Sequence, residues 1–216
     1  MTFFEIRECS EPNCRLRLPI EIGVHMGRHC PKCGAPLHCV IPAYQNQTCP
    51  GRAYRVKHGL WVILDNLRSA YNVGSIFRTS DGVEVEHIYL CGITPSPDDN
   101  TDIEKTALGA AGYLSWSKHT NALILARQLK QEGFKLLALE CSPRSQPIQE
   151  YRTNTEDNRP TVLILGNERA GVDPGLIKIC DTVLMLPMLG KKGSLNVAVA
   201  FGIAAYWLSF LSHSRL

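Results

Sequence analysis

The chain lacks an uninterrupted apolar run long enough to span a bilayer. Its longest apolar stretch, residues 195–211, is broken by Asn196, Gly202 and Ser209 and falls short of the roughly 20 residues that a spanning helix needs. No membrane association is expected, and the stretch reads as a buried helix. The opening sequence MTFFEIREC has no basic segment followed by an apolar core, so no secretory signal is expected there and a cytoplasmic setting is. In such a setting the 9 cysteines are metal ligands or buried thiols rather than disulfides. A G-x-G-x-x-G turn is also missing after the first strand-like run, which argues against a dinucleotide-dependent oxidoreductase on a Rossmann fold.

Charge of one sign is scarce, with a formal net of +3 over 216 residues, but it is unevenly placed. Residues 1–58 carry 8 Lys/Arg against 4 Asp/Glu, and residues 59–216 carry 15 against 16. His25, His29, His38 and His58 add to the first group. A basic module on a near-neutral body points to a nucleic-acid partner, although ordinary surface scatter gives a surplus of the same size. Cysteine density divides the chain in the same place: Cys9, Cys14, Cys30, Cys33, Cys39 and Cys49 lie in the first 50 residues. Residues 42–57 (PAYQNQTCPGRAYRVK) are rich in Pro, Gly and polar side chains and read as a connection. The expected organisation is therefore a small module over 1–42, a linker over 43–57 and a main domain over 58–216.

In the main domain, apolar strand-like runs at 60–64, 87–91, 135–140, 161–165 and 182–186 alternate with helical patterns. Those helices are expected near 73–83, 102–108, 122–132 and 174–179, with a last one from about Ser194 to Leu211 for which Ser194 is the candidate N-cap. Near-continuous Val/Ile/Leu runs suit a parallel sheet covered on both faces, which makes this an α/β fold.

The small module spaces its cysteines as Cys9-x4-Cys14 and Cys30-x2-Cys33. Two close pairs joined by a short span are what a tetrahedral, four-cysteine zinc site of the zinc-ribbon kind requires, each pair giving two thiolates from one tight turn. Gly34 relieves the turn of CPKCG, while CSEPNC is longer than the commonest knuckle. A segment of about 40 residues buries little apolar area, so metal binding would supply its folding energy. With all four positions filled by protein, such a site is structural. Cys39 and Cys49 lack paired spacing, and His25 and His29 are alternative ligands or plain surface residues.

Three blocks carry chemistry in the main domain. The first, LDNLRSAYNVGSIFRTS, places Asn72 near the start of a helix and Arg78 six residues later. An Arg on a small, apolar helix must meet an anion if buried, or else snorkel to the surface. The second, VLILGNERAGV, runs a buried strand into Gly166, Asn167 and Glu168, followed by Gly171. This is the carboxyl end of a strand, where open α/β sheets bind ligands. The third, LMLPMLGKKGSLNVAVA, is a strand, a Gly/Lys loop, and Ser194-Leu195-Asn196 at a helix start, where backbone N–H groups face outward. Each block alone also has a bland reading as a cap or a turn.

Together, N-x-G-x-I-x-R-T, G-N-E-x-x-G and S-L-N-V-A-V-A, in this order and spacing, resemble the SpoU family of the SPOUT superfamily of RNA methyltransferases. The resemblance covers about residues 60–210. The segment EKTALGAA at 104–111 is similar to tRNA methyltransferase-like members, which often have Glu where this chain has Ala111. The resemblance implies an α/β fold whose part near 161–199 is threaded as a trefoil knot, S-adenosylmethionine held in that knot, and a homodimer. It also implies methylation of a ribose 2′-hydroxyl in tRNA or rRNA. It places Asn72, Arg78, Glu168, Ser194 and Asn196 in the catalytic site. For the cofactor it suggests Leu165, Gly166, Asn167, Gly171, Leu186, Met188, Ser194 and Leu195. A guanidinium stays protonated in proteins, so stabilising developing charge suits Arg78 better than acting as base. Glu168, a phosphate or water remain as proton acceptors. A non-catalytic RNA-binding protein of the same fold is the alternative, and it would be expected to have lost these polar residues. On the last helix, Ala198, Gly202 and Ala205 suit close packing, against either a second copy or the core.

Overall fold

The computed structural model describes residues 2–23, 27–45, 59–152 and 157–211. His25, Cys49, His58 and most of the expected linker lie outside them. The chain forms two compact units, residues 1–54 and 55–216.

The first unit is a three-stranded antiparallel sheet of β1 (Phe3–Cys9), β2 (Arg17–Glu21) and β3 (Leu37–Gln45), ordered β2-β1-β3. β3 extends to Gln45, into the 43–57 stretch expected to be the linker. The arginines that made this segment look basic are partly neutralised. Arg7 pairs with Glu5, while Arg15 and Arg17 both pair with Glu8.

The second unit is built on seven strands: β4 (Leu60–Asp65), β5 (Val85–Cys91), β6 (Trp116–His119), β7 (Lys135–Leu139), β8 (Ser145–Pro147), β9 (Thr161–Leu165) and β10 (Thr182–Met185). All pair in parallel, in the order β6-β5-β4-β9-β7-β10-β8. The helices are α1 (Ala70–Gly82), α2 (Glu104–Ala107), α3 (Ala122–Gln131), α4 (Pro174–Ile179) and α5 (Val197–Tyr206). Alternation along the strands explains why both faces are covered. Val62, Leu64, Leu137, Leu163, Leu165 and Leu184 enter the core shared with α1 and α5. Ile63, Leu136, Ala138, Val162, Ile164 and Val183 enter the core shared with α3 and α4. Period-two side-chain geometry on a sheet buried from both sides needs apolar residues at every position, which is the pattern these runs show.

Some elements differ from the sequence reading. α1 starts at Ala70 rather than Val73, because the Ser69 hydroxyl caps it by accepting the Asn72 N–H at 3.3 Å. The helix expected at 102–108 is a 3-10 turn (Thr101–Ile103) followed by the single turn of α2, stopped by Leu108 in the left-handed region at φ 50°. α5 begins after Asn196, not at Ser194, and passes into a π-helical turn over Trp207–Leu211. Its small residues face inward: Ala205 is buried, Ala198 packs on the core, and a Cβ on Gly202 would touch Thr79 of α1 at 3.7 Å. Among the described residues no helix is long and apolar enough to cross a membrane.

Candidate functional site

β7, β9 and β10 are neighbours in the sheet, so their carboxyl ends open onto one place. There lies a cavity of about 330 Å³, lined in part by Leu139, Leu165, Gly166, Leu186, Met188 and Leu195. That is within the usual 300–1,000 Å³ of small-molecule sites. Asn167, Gly171 and Ser194 line it too, so all eight residues suggested for the cofactor fall on one cavity. Gly166 is required by the fold of its own loop. A Cβ there would lie 2.2 Å from the Gly171 carbonyl oxygen and 2.3 Å from the Val172 nitrogen.

Three of the five expected catalytic-site residues, Asn72, Glu168 and Asn196, form one hydrogen-bonded chain across the three sequence blocks. Asn196 caps α5, its Oδ1 accepting from the N–H groups of Ala198 (2.9 Å) and Val199 (3.3 Å). Its Nδ2 donates to Asn72 Oδ1 at 3.0 Å, and Asn72 Nδ2 donates to Glu168 Oε1 at 3.0 Å. Glu168 also accepts the backbone N–H groups of Arg68 (2.9 Å) and Ser69 (3.1 Å). Burial works against its charge. The N–H groups of Glu168 itself and Arg68, the Asn72 amide and the Ser69 N–H outweigh it, holding the carboxyl below the ordinary carboxylate range.

A second link runs beside the first. Asn167 Nδ2 donates to the Asn66 carbonyl oxygen at 2.6 Å, and its Oδ1 accepts from Arg169 and Ala170 at 3.0 and 3.1 Å. Asn66 stands in the left-handed region at φ 58°, with its Oδ1 receiving the Ile93 N–H. A Cβ on Gly92 would meet that oxygen at 2.1 Å. Next to it, Asp65 is buried at the end of β4; desolvation, then the Asp173 charge, push its carboxyl above the ordinary range.

Ser194 is exposed on the cavity rim and does not cap α5, because Asn196 performs that role. Arg78 is exposed on α1, so it is not the buried cation that needs a partner. Among the described residues it makes no side-chain hydrogen bond or ion pair, nor does it line the cavity. Sequence reading missed Glu140, Cys141, Met185, Val197 and Ala200 of the lining.

In the first unit, the ligand atoms of Cys9, Cys14, Cys30 and Cys33 all lie within 4.8 Å of one another. The Cys9 and Cys33 sulfurs are 3.4 Å apart and those of Cys14 and Cys30 are 3.7 Å apart. A tetrahedral ion with bonds of about 2.3 Å sets its sulfurs about 3.8 Å apart, so the four thiols could hold a metal with little movement. Gly34, at φ 77°, closes the second turn, its N–H reaching the Cys30 carbonyl at 2.8 Å.

A parallel sheet with a ligand-sized cavity at its strand ends, bordered by an Asn–Asn–Glu chain, defines the class: an α/β protein with room for a small molecule beside polar loops. The chain belongs to the SpoU rRNA Methylase family, whose family model matches residues 59–206. A tRNA (guanosine(18)-2′-O)-methyltransferase of Aquifex aeolicus is 32% identical over 147 residues, covering 68% of this chain and 67% of that protein. A Mycoplasma genitalium protein, described as an uncharacterized tRNA/rRNA methyltransferase, is 32% identical over 171 residues, or 79% of this chain and 65% of its own length. The chain spans only 56% of a Bacillus subtilis relative at 31% identity. Among solved structures, an AdoMet-bound rRNA methyltransferase from Sinorhizobium meliloti aligns with a TM-score of 0.62 at 25% identity, over 76% of this chain and 61% of its own. The A. aeolicus TrmH/SpoU tRNA modifying enzyme aligns with a TM-score of 0.61 at 32% identity, over 69% and 73%.

Proposed function

We propose that the protein is an S-adenosylmethionine-dependent methyltransferase that modifies a ribose 2′-hydroxyl in tRNA or rRNA. One observation carries the reading: Asn196 belongs both to the cavity lining and to the chain that reaches Asn72 and Glu168. Cofactor space and the polar loops of the catalytic site are therefore one structure. The names of the curated relatives and the AdoMet-bound neighbour support the same conclusion.

The cofactor supplies a methyl group on a positively charged sulfur. Leu165, Leu186, Met188 and Leu195 give the cavity apolar walls, and the loop from Gly166 to Gly171 presents backbone to it. Glu168 braces the loop before α1 and makes a weak base, since its depressed affinity for a proton disfavours accepting one. Ser194 and Asn196 hold polar groups at the rim. Arg78 supplies the cation: its guanidinium engages an RNA phosphate and stabilises charge developing on the attacking oxygen, while water or a phosphate takes the proton. The cofactor-binding stretch of about 161–199 includes the trefoil threading.

The reading has three further parts. Cys9, Cys14, Cys30 and Cys33 bind one structural Zn²⁺, and the module adds an RNA-docking surface. The molecule is a homodimer, supported by an apolar stripe of Val199, Ile203 and Tyr206 left exposed on α5. The reaction takes place in the cytoplasm, where tRNA and rRNA are available.

Single-turnover methylation of tRNA and rRNA tests the proposal, with cofactor binding measured in parallel. Removing one charge-stabilising donor typically lowers turnover by about 10²–10³-fold, so Arg78→Ala should fall that far with cofactor affinity unchanged. Near-normal turnover in that variant would remove Arg78 from the mechanism. Failure of the wild type to take up S-adenosylmethionine would remove the function.

A further inference from the structure

Glu140 stands on the cavity wall with no role in the chain of residues described so far. It follows directly on β7, the strand flanked by β9 and β10, so Glu140 meets the cavity between the loops that follow those two strands. Two backbone groups fix it there. Oε2 accepts the Val172 N–H at 2.8 Å, and Oε1 accepts the Cys141 N–H at 2.9 Å. Gly171 makes the approach possible, since a Cβ on it would lie 2.4 Å from Oε2. The two bonds take one accepting position on each oxygen, and a carboxylate has about four in all. One acceptor per oxygen is left, in a carboxylate whose orientation is already set.

That arrangement matches two adjacent hydroxyl donors better than any other group on an adenosyl ligand. The adenine faces suit the apolar wall of Leu165, Leu186 and Leu195, which leaves the ribose as the part carrying paired hydroxyls. A carboxylate at the carboxyl end of a parallel strand is a recurrent solution to ribose binding in α/β folds. We infer that Glu140 accepts the 2′- and 3′-hydroxyls of the cofactor's ribose, an inference that rests on the cofactor reading above. Glu140 then has two roles: it braces the loop at Val172 and reads the sugar.

The two roles separate experimentally. Binding of S-adenosylhomocysteine and of its 2′,3′-dideoxyribose analogue is measured by calorimetry on the metal-loaded full chain, for wild type, Glu140→Ala and Glu140→Gln. Hydrogen bonds to a charged acceptor make the wild type prefer the diol by about tenfold or more. Glu140→Ala should bring that ratio close to one, and Glu140→Gln, which keeps one neutral acceptor, should lower it part of the way; Glu140→Gln decides if Glu140→Ala does not fold, because its carbonyl still accepts from Val172. If the variants weaken both ligands equally and keep the ratio, Glu140 is only a brace and the inference is overturned. A wild type that binds both ligands equally well also overturns it, leaving the cofactor reading intact. A wild type that binds neither ligand overturns the cofactor reading itself.

Discussion

Replacing Glu168 with Gln tests whether the loop before α1 is held from across the sheet. The carboxylate accepts three N–H groups, from Arg68, Ser69 and Asn72. Gln offers one carbonyl oxygen and turns an NH2 toward donors. Bonds to a charged acceptor are worth about 1.5–3 kcal/mol each when buried. Glu168 is exposed, so water replaces part of that, and a net loss of roughly 1–2 kcal/mol is expected. For a unit of this size that is a fall in Tm of about 2–8 °C. The pH dependence has a definite sign. The folded carboxyl lies below its ordinary range, so the charged form is favoured by folding. The stabilisation is fully present above the unfolded value of about 4.3 and is lost as pH falls through the folded value. The wild type should therefore exceed Glu168→Gln near pH 7 and converge with it in acid. Tryptophan fluorescence is the assay, because Trp61, Trp116 and Trp207, the chain's 3 tryptophans, all lie in the second unit. Equal Tm values at pH 7, or an offset that persists undiminished below pH 4, would refute the reasoning.

Gly166→Ala forces a Cβ against the Gly171 oxygen and Val172 nitrogen. Both are backbone, so the loop must move; a cost of about 1–3 kcal/mol is expected, with S-adenosylhomocysteine binding weakened at least about tenfold. Calorimetry showing wild-type affinity would mean that the loop has slack. Metal analysis should find one zinc per chain, lost in Cys30→Ser. Chelation should unfold the first unit, seen as a loss of protection of its amides to hydrogen exchange, while tryptophan emission stays unchanged. Full protection after metal removal would show that the small sheet stands without an ion.

Local signals and long-range order were unequally legible. β9 and α4 match the sequence reading end to end, because a run of four apolar residues after Thr161 and an Asp-Pro helix start are local signals. β6 and β8 did not stand out: they are short edge strands, and Trp-Ser-Lys-His and Ser-Gln-Pro carry no apolar run. The eight residues expected at the cofactor were picked out with the help of the family resemblance, and they line one cavity. Glu140 was not, since its meaning depends on β7 lying between β9 and β10, a pairing order that nothing near residue 140 encodes. Ser and Asn are both favoured cap types, so local sequence does not separate Ser194 from Asn196. Only the geometry of the preceding loop decides that Asn196 is the residue that meets the free N–H groups of α5.

The polarity of the Asn196–Asn72–Glu168 chain explains why these residue types stand there. The N–H groups of Ala198 and Val199 can only donate, so the atom of Asn196 facing them must be its oxygen. Its NH2 is then committed to face Asn72, whose oxygen must receive it. That leaves the Asn72 NH2 pointing at Glu168, where an acceptor is required. The Arg68 and Ser69 N–H groups demand the same of Glu168 from the other side. Each interior position needs a group that accepts at one end and donates at the other, which an amide does and a carboxylate does not. An Asp at 196 would still cap α5 but would oppose the Asn72 oxygen with another oxygen. An Asp at 72 would set one carboxylate against a second. The terminal position needs acceptors only, and a carboxylate supplies them for three donors at once. Direction thus runs from the start of α5, through α1, to the loop after β9. Three segments distant in sequence are locked in one register by the order in which they donate and accept hydrogen bonds.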